Sequence, residues 1–319
     1  MPPKRDRLWR LVVGVHQIWA AALLGTVLLA TSTNEVWAQR VALIIANSEY
    51  EHTKRLENPG NDARAIAKLL RDKAGFNEND IALVEDARRQ EMENAIKEFA
   101  IKSRGAELAF VYFAGHGLES GGANYLLPVD AEIADDEKLT SEAILLKTIQ
   151  NAIEKATFRI VILDACRENP LAERMRRTPD LKRAVGRGLA RVPKEKAESS
   201  KGYDLFAFSA KAGELALDGK GTHSPYAQGL LKHLPQPGLD IRKAFARVAT
   251  WVRESTDWKQ EPIYQSAFPE TDFYLVPPKQ QVKATPSSSP KRQSAEPRTR
   301  RQTAAPAQQP QRGIAPIPP

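Results

Sequence analysis

RIVILDACRENP (159–170) is the stretch that decides the fold. Ile160-Val161-Ile162-Leu163 is an unbroken apolar run of strand length, rich in β-branched residues. Such a run reads as a strand buried on both faces. It leads straight into Asp164-Ala165-Cys166, and Cys166 is the only cysteine among 319 residues. One cysteine excludes an intramolecular disulfide. By residue type alone a single cysteine is a small buried hydrophobe. A reactive thiol has to be argued from the residues around it.

Working outward, the same pattern repeats. VALIIAN (41–47), DIALVEDA (80–87) and AELAFVYFAGHG (106–117) read as strands, and NYLLPVD (124–130) as a short strand-like return. Between them, NPGNDARAIAKLLRDKAGF (58–76), RRQEMENAIKEFAIKSR (88–104) and SEAILLKTIQNAIEKA (141–156) carry apolar residues at helical spacing. Gly75 stops the first helix, and Ser141 is placed to cap the third. After Cys166 come YDLFAFSA (203–210) as a fifth strand, SPYAQGLLKHL (224–234) and LDIRKAFARVATWVRES (239–255) as helices, and DFYLV (272–276) as the closing segment. Strands alternating with helices of this length predict an α/β domain with a mostly parallel central sheet flanked by helices on both faces.

The flanks differ from this domain. The formal net charge is +8, of which residues 277–319 contribute +7 and residues 1–38 contribute +2, leaving 39–276 at −1. The basic balance belongs to the ends, so it does not indicate a nucleic-acid-binding core. KRDRLWR (4–10), the apolar run 11–30 and Val36-Trp37-Ala38 form a basic, apolar and small-residue series. That series is expected of an export signal cleaved before Gln39, placing the mature chain in a periplasm or outside the cell. The alternative is an uncleaved membrane anchor. Residues 277–319 are rich in Pro, Ser, Gln and Arg and too poor in large apolar residues to fold alone. They are either simply solvated or a contact for an anionic surface. Residues 167–201, rich in Lys and Arg, form a basic linker loop inside the domain.

In open parallel sheets, ligands bind beyond the carboxyl ends of the strands. Two strands end there in unusual chemistry: Gly115-His116-Gly117 and Asp164-Ala165-Cys166. Were the two strands neighbours, an imidazole base and a thiol would meet at one sheet edge, as a thiol nucleophile requires. The N–H groups of Gly117 and Cys166 would then be placed to hold an oxyanion. His, Cys and Asp also suggest a metal site, but metal sites usually take further Cys or His ligands, and none lies near these strand ends in sequence. The assignment is therefore a catalytic pair without a metal.

The runs VALIIANSEY, FVYFAGHGLESGGANYLLPVD and RIVILDACRENP resemble the caspase-like cysteine peptidase family, closest to its bacterial paracaspase and metacaspase type. The resemblance spans roughly 40–276, and His116 stands about 50 residues before Cys166, as in caspases. It implies a caspase-like fold, His116 as general base and Cys166 as nucleophile. Caspases carry Gln-Ala-Cys-Arg-Gly where this chain has Asp-Ala-Cys-Arg-Glu, so specificity for aspartate does not carry over. The Asp-x-Cys form resembles members that cleave after Arg or Lys. It implies Asp164 as an acid lining the specificity pocket, with Asp62 and Asp218 as further acids. Three carboxylates would hold a guanidinium by charge-assisted bonds. Simpler readings stay open for Asp62 as a first-turn helix acid and for Asp218 as a turn former.

An open edge at 203–209 would let a substrate add as a strand along Ala207, Phe208 and Ser209; a plain core strand is the other reading. Arg and Lys in 167–201 would be autoprocessing sites for such an enzyme; an uncut solvated loop is the other reading. The chemistry requires no cofactor. Some relatives use calcium, for which EIADDE (132–137) is either a site or a solvated loop. The expected partners are peptide or protein substrates bearing Arg or Lys. The alternative function is a non-catalytic binding or scaffold module on the same fold.

Overall fold

The apolar runs pair into one sheet. The computed structural model describes residues 38–120, 122–133, 136–166, 185–186, 202–211 and 216–278. Residues 1–37, all but two residues of the linker 167–201, and the tail beyond 278 lie outside them. In chain order the elements are β1 (Arg40–Ala46), α1 (Pro59–Lys73), β2 (Ile81–Glu85), α2 (Arg89–Lys102), β3 (Leu108–Ser120), β4 (Ala123–Leu126), α3 (Asp136–Glu142), β5 (Ile144–Leu145), α4 (Leu146–Ile153), β6 (Phe158–Cys166), β7 (Val185–Gly186), β8 (Tyr203–Phe208), α5 (Pro225–His233), α6 (Ile241–Ser255) and β9 (Ile263–Ser266).

The main sheet runs β2-β1-β3-β6-β8-β9. All its pairings are parallel except β8 with β9. Alternation along each strand sorts the core into two layers. Even-numbered residues of β1, β3 and β6 (Ile44, Phe110, Tyr112, Ile160, Ile162) pack under α1, α5 and α6. Their odd-numbered neighbours (Leu43, Ile45, Val111, Phe113, Val161) pack under α2 and α4. Burying each such side chain contributes about 1.5–3 kcal/mol. The expected α/β fold with helices on both faces is the one observed.

The order β2-β1-β3 reverses the chain direction across the sheet between β1 and β3, and ligand crevices of open α/β sheets form at such a point. Here the loop 47–58 leaves β1, and β3 runs on past its neighbours.

Several boundaries differ from the sequence reading. The third strand does not end at Gly-His-Gly. It continues to Ser120, because beyond the main sheet it gains new antiparallel partners in β4 and β7. The expected helix 141–156 is broken by β5, which pairs with β4. Ser141 therefore lies in the last turn of α3, its hydroxyl on the Lys138 carbonyl at 2.9 Å, and caps nothing downstream. The closing segment DFYLV (272–276) packs where expected, at the end of the domain. It docks through one bridge, Asp240 to Tyr274, and through Asp240, which accepts the Phe273 N–H while capping α6.

Candidate active site

The register of β3 against β6 sets the site. Ala114 pairs with Asp164, Gly115 with Ala165, and His116 with Cys166, which is the last residue of β6. The two sequence motifs thus occupy adjacent positions on neighbouring strands.

His116 is buried and held on three sides. Its backbone N–H donates to the Tyr50 hydroxyl at 2.7 Å, and its carbonyl accepts the Leu127 N–H at 3.0 Å. Its ring stacks obliquely on Tyr50, centroids 4.5 Å apart. The Tyr50 hydroxyl in turn donates to the Leu127 carbonyl at 3.2 Å. This is why residue 115 is glycine: a Cβ there would stand 2.6 Å from the Tyr50 hydroxyl. The His116 Nε2 lies 2.7 Å from the Lys54 carbonyl. A carbonyl only accepts, so Nε2 carries the proton and Nδ1 is the basic nitrogen of the ring. The Lys54 carbonyl has no sequence signal, since any residue could supply it.

The ladder also orients Gly117. Asn47 N–H donates to Ala114 O and Leu127 N–H to His116 O. Even-numbered residues of β3 therefore turn their peptide groups towards β1 and β4, and odd-numbered ones turn theirs the other way. The Gly117 N–H consequently points to the β6 side, where β6 has ended at Cys166.

The acids converge on the even-numbered face of the sheet. Asp164 is buried, and its Oδ2 accepts from the Ser224 hydroxyl at 2.6 Å and from Tyr112 at 3.3 Å. Asp62, in the first turn of α1, turns inward. Its Oδ2 accepts the Ser224 N–H at 3.2 Å, and its Oδ1 lies 2.7 Å from His223 Nδ1. Ser224 thus bridges both carboxylates while its oxygen caps α5 on the Ala227 N–H. Asp218 accepts the Glu57 N–H at 2.9 Å, and its carbonyl takes the Asn58 amide, tying the loop 216–224 to the loop before α1.

Burial and the Asp164 charge push Asp62 up to about 8. Burial, opposed by bonds from Ser224, Ser209 and Tyr112 and augmented by Asp218, pushes Asp164 up to about 6. Tyr226 is buried close enough to feel the Asp164 charge, and its hydroxyl has no hydrogen-bond partner among the described residues. Among these residues no cluster of three or more His, Cys, Asp or Glu is arranged to hold a metal ion. The acidic run 132–137 falls partly outside them.

One expected feature is not met. The strand at 203–209 has no open edge, because β9 pairs with it antiparallel from Leu205 to Phe208 while β6 holds its other side. Ala207 and Phe208 are buried between these neighbours and unavailable to a substrate strand. Ser209 also has both backbone groups engaged, its N–H on Leu163 O and its carbonyl on the Gln260 amide. Its side chain bonds Asp164 instead. The segment that forms β9, IYQS, is too short and too polar to be marked as a strand by pattern alone. His223 and Ser224 carry no local signal for a different reason: nearly sixty residues separate them from Cys166, and only the return of α5 brings them to the acids.

A family model described as the caspase domain matches residues 39–274. The chain is 31% identical over 142 residues to the human mucosa-associated lymphoid tissue lymphoma translocation protein 1, an alignment covering 43% of this chain and 16% of that protein. It is 30% identical over 132 residues to rat caspase-1, covering 40% of this chain and 31% of the relative. The chain therefore aligns with less than a third of the length of either relative. With the family model covering nearly the whole folded region, and with a parallel sheet that sets a histidine against the cysteine, the chain belongs to the caspase family of cysteine peptidases.

Proposed function

We propose that this protein is a cysteine endopeptidase that cleaves after Arg or Lys. The observation that carries the specificity is the pair Asp62 and Asp164, two buried carboxyls bridged by Ser224 with no cation between them among the described residues. Like charges in a desolvated pocket are costly. A substrate guanidinium or ammonium relieves that cost, and Asp218 adds to the field from the adjoining loop.

In the proposed reaction His116 Nδ1 takes the Cys166 thiol proton, and the thiolate attacks the carbonyl carbon of the scissile bond. The oxyanion receives hydrogen bonds from the Gly117 and Cys166 N–H groups. Collapse expels the amine, which leaves with the proton from His116, and a thioester remains on Cys166. Water, deprotonated by His116, attacks that thioester and releases the carboxylic acid and the thiol. Tyr50 and the Lys54 carbonyl hold the imidazole in the tautomer this requires.

The same specificity would make the basic linker 167–201 a self-cleavage site, and the N-terminal segment would direct export. The non-catalytic alternative is not favoured, since the chain keeps both the Cys and the His. The test is hydrolysis of fluorogenic peptides ending in Arg, Lys or Asp by wild type and Cys166→Ala, with the protein followed on a gel. Cleavage after Arg or Lys that vanishes in Cys166→Ala is expected, with wild type alone cut in the linker. Cleavage only after Asp would discard the pocket, and an intact active chain would discard self-processing.

A further inference from the structure

The mechanism above leaves His223 without a role, yet its ring touches the most buried acid of the pocket. Both Asp62 oxygens are engaged by one dipeptide: Oδ1 by His223 Nδ1 at 2.7 Å and Oδ2 by the Ser224 N–H at 3.2 Å. The Asp62 side chain is 2% exposed, whereas that of His223 is 28% exposed. The imidazole therefore spans from a sealed carboxyl to solvent. We propose that His223 is a positioning residue of the specificity pocket, whose neutral ring fixes Asp62 and supports its ionisation when a basic substrate side chain docks. This rests on reading the pocket as a site for Arg or Lys.

An empty pocket favours protonated Asp62, since Asp164 from β6 and Asp218 from the loop 216–224 face it as like charges and burial adds to them. Tyr112 of β3 also shares that field, and Ser224 is the neighbouring hydrogen-bond donor. A protonated carboxyl donates to a bare Nδ1, and an ionised one accepts from Nδ1–H. By exchanging tautomers, a neutral histidine keeps the bond in both states. Burial shifts His223 below its usual range, in favour of the neutral ring. A Nδ1–H donor stabilises the carboxylate form that a cation needs.

The experiment measures kcat and KM for an Arg peptide between pH 5.5 and 9 with full-length wild type, His223→Leu and His223→Asn, with a melting curve for each. Wild-type KM should fall as pH rises, since the acids must ionise to hold the cation. In His223→Leu, KM should rise about tenfold with kcat within about twofold, and the midpoint of the KM curve should move up by about one pH unit. His223→Asn keeps an N–H donor at similar reach, so its KM should stay within about threefold of wild type and its midpoint should not move. An unchanged KM in His223→Leu, a rise equal at every pH, or an Asn variant as impaired as a leucine one would overturn the role of His223 while leaving the pocket intact. Failure of wild type to cleave after Arg or Lys would overturn the pocket, and His223 with it.

Discussion

Strand β6 carries a buried ionisable residue at each end, and the two ends are solved differently. At its start, Arg159 is 2% exposed and forms a two-pronged pair with Asp204 on β8, at 2.6 and 2.8 Å, with a third bond to the Glu154 carbonyl. Gly202 makes room for it, because a Cβ there would stand 2.7 Å from the guanidinium. Charge is matched, donors are matched, and the pair joins the two strands that flank the linker. At its other end, Asp164 meets Asp62 and Asp218, and the neighbours are hydroxyls and like charges. A buried charge with its partner in place is architecture. A buried charge lacking one is where the proposed substrate cation would fit.

The largest effect is expected at the matched end. Arg159→Met should destabilise the domain by about 3–5 kcal/mol, since it leaves Asp204 largely buried and alone. Chemical denaturation would show the loss, and a change under 1 kcal/mol, on the order of a surface pair, would mean that the pair contributes no more than an exposed one.

The unmatched end should respond in activity instead. Asp164→Asn keeps an acceptor for Ser224 and removes one charge, so cleavage of Arg peptides should fall about a hundredfold in kcat/KM without loss of melting temperature. A fall in stability equal to that of Arg159→Met would erase the distinction between the two ends.

The smallest effect sharpens it through pH. Asp62 and Asp164 have folded values of about 8 and about 6 against 3.8 for an ordinary aspartate. The folded chain therefore holds more protons than the unfolded one between these limits, and stability from these groups is greatest below 3.8 and is lost as pH rises through 6 and 8. The melting temperature of the ligand-free protein should fall over that range. Asp62→Asn should flatten the fall, retaining about 1–3 kcal/mol at pH 8. A wild-type curve flat from pH 5 to 8 would contradict the raised carboxyls.

Part of this was legible from residues alone. The apolar runs 41–47 and 159–166 announce buried strands because such runs have nowhere to go except between two layers, and both strands are present. The sequence places His116 and Cys166 side by side on the condition that their strands are neighbours, and the register shows that they are. The extension of β3 to Ser120, the break at β5 and the covering of β8 by β9 were not legible, because each depends on a partner strand of two to four residues whose pairing is set by tertiary contacts.

The amino-acid order by itself determined the family, the parallel sheet and the pair of residues at its edge. These rest on local periodicity and on motifs written in contiguous residues. Only the tertiary structure decided which groups serve that pair and the acids beside it: the Lys54 carbonyl that sets the His116 tautomer, the Tyr50 hydroxyl, and the His223-Ser224 dipeptide that gathers Asp62 and Asp164. Backbone carbonyls look alike in every sequence, and a hydrogen bond between residues 160 positions apart leaves no local trace. Their energy is earned only once the chain has closed on itself.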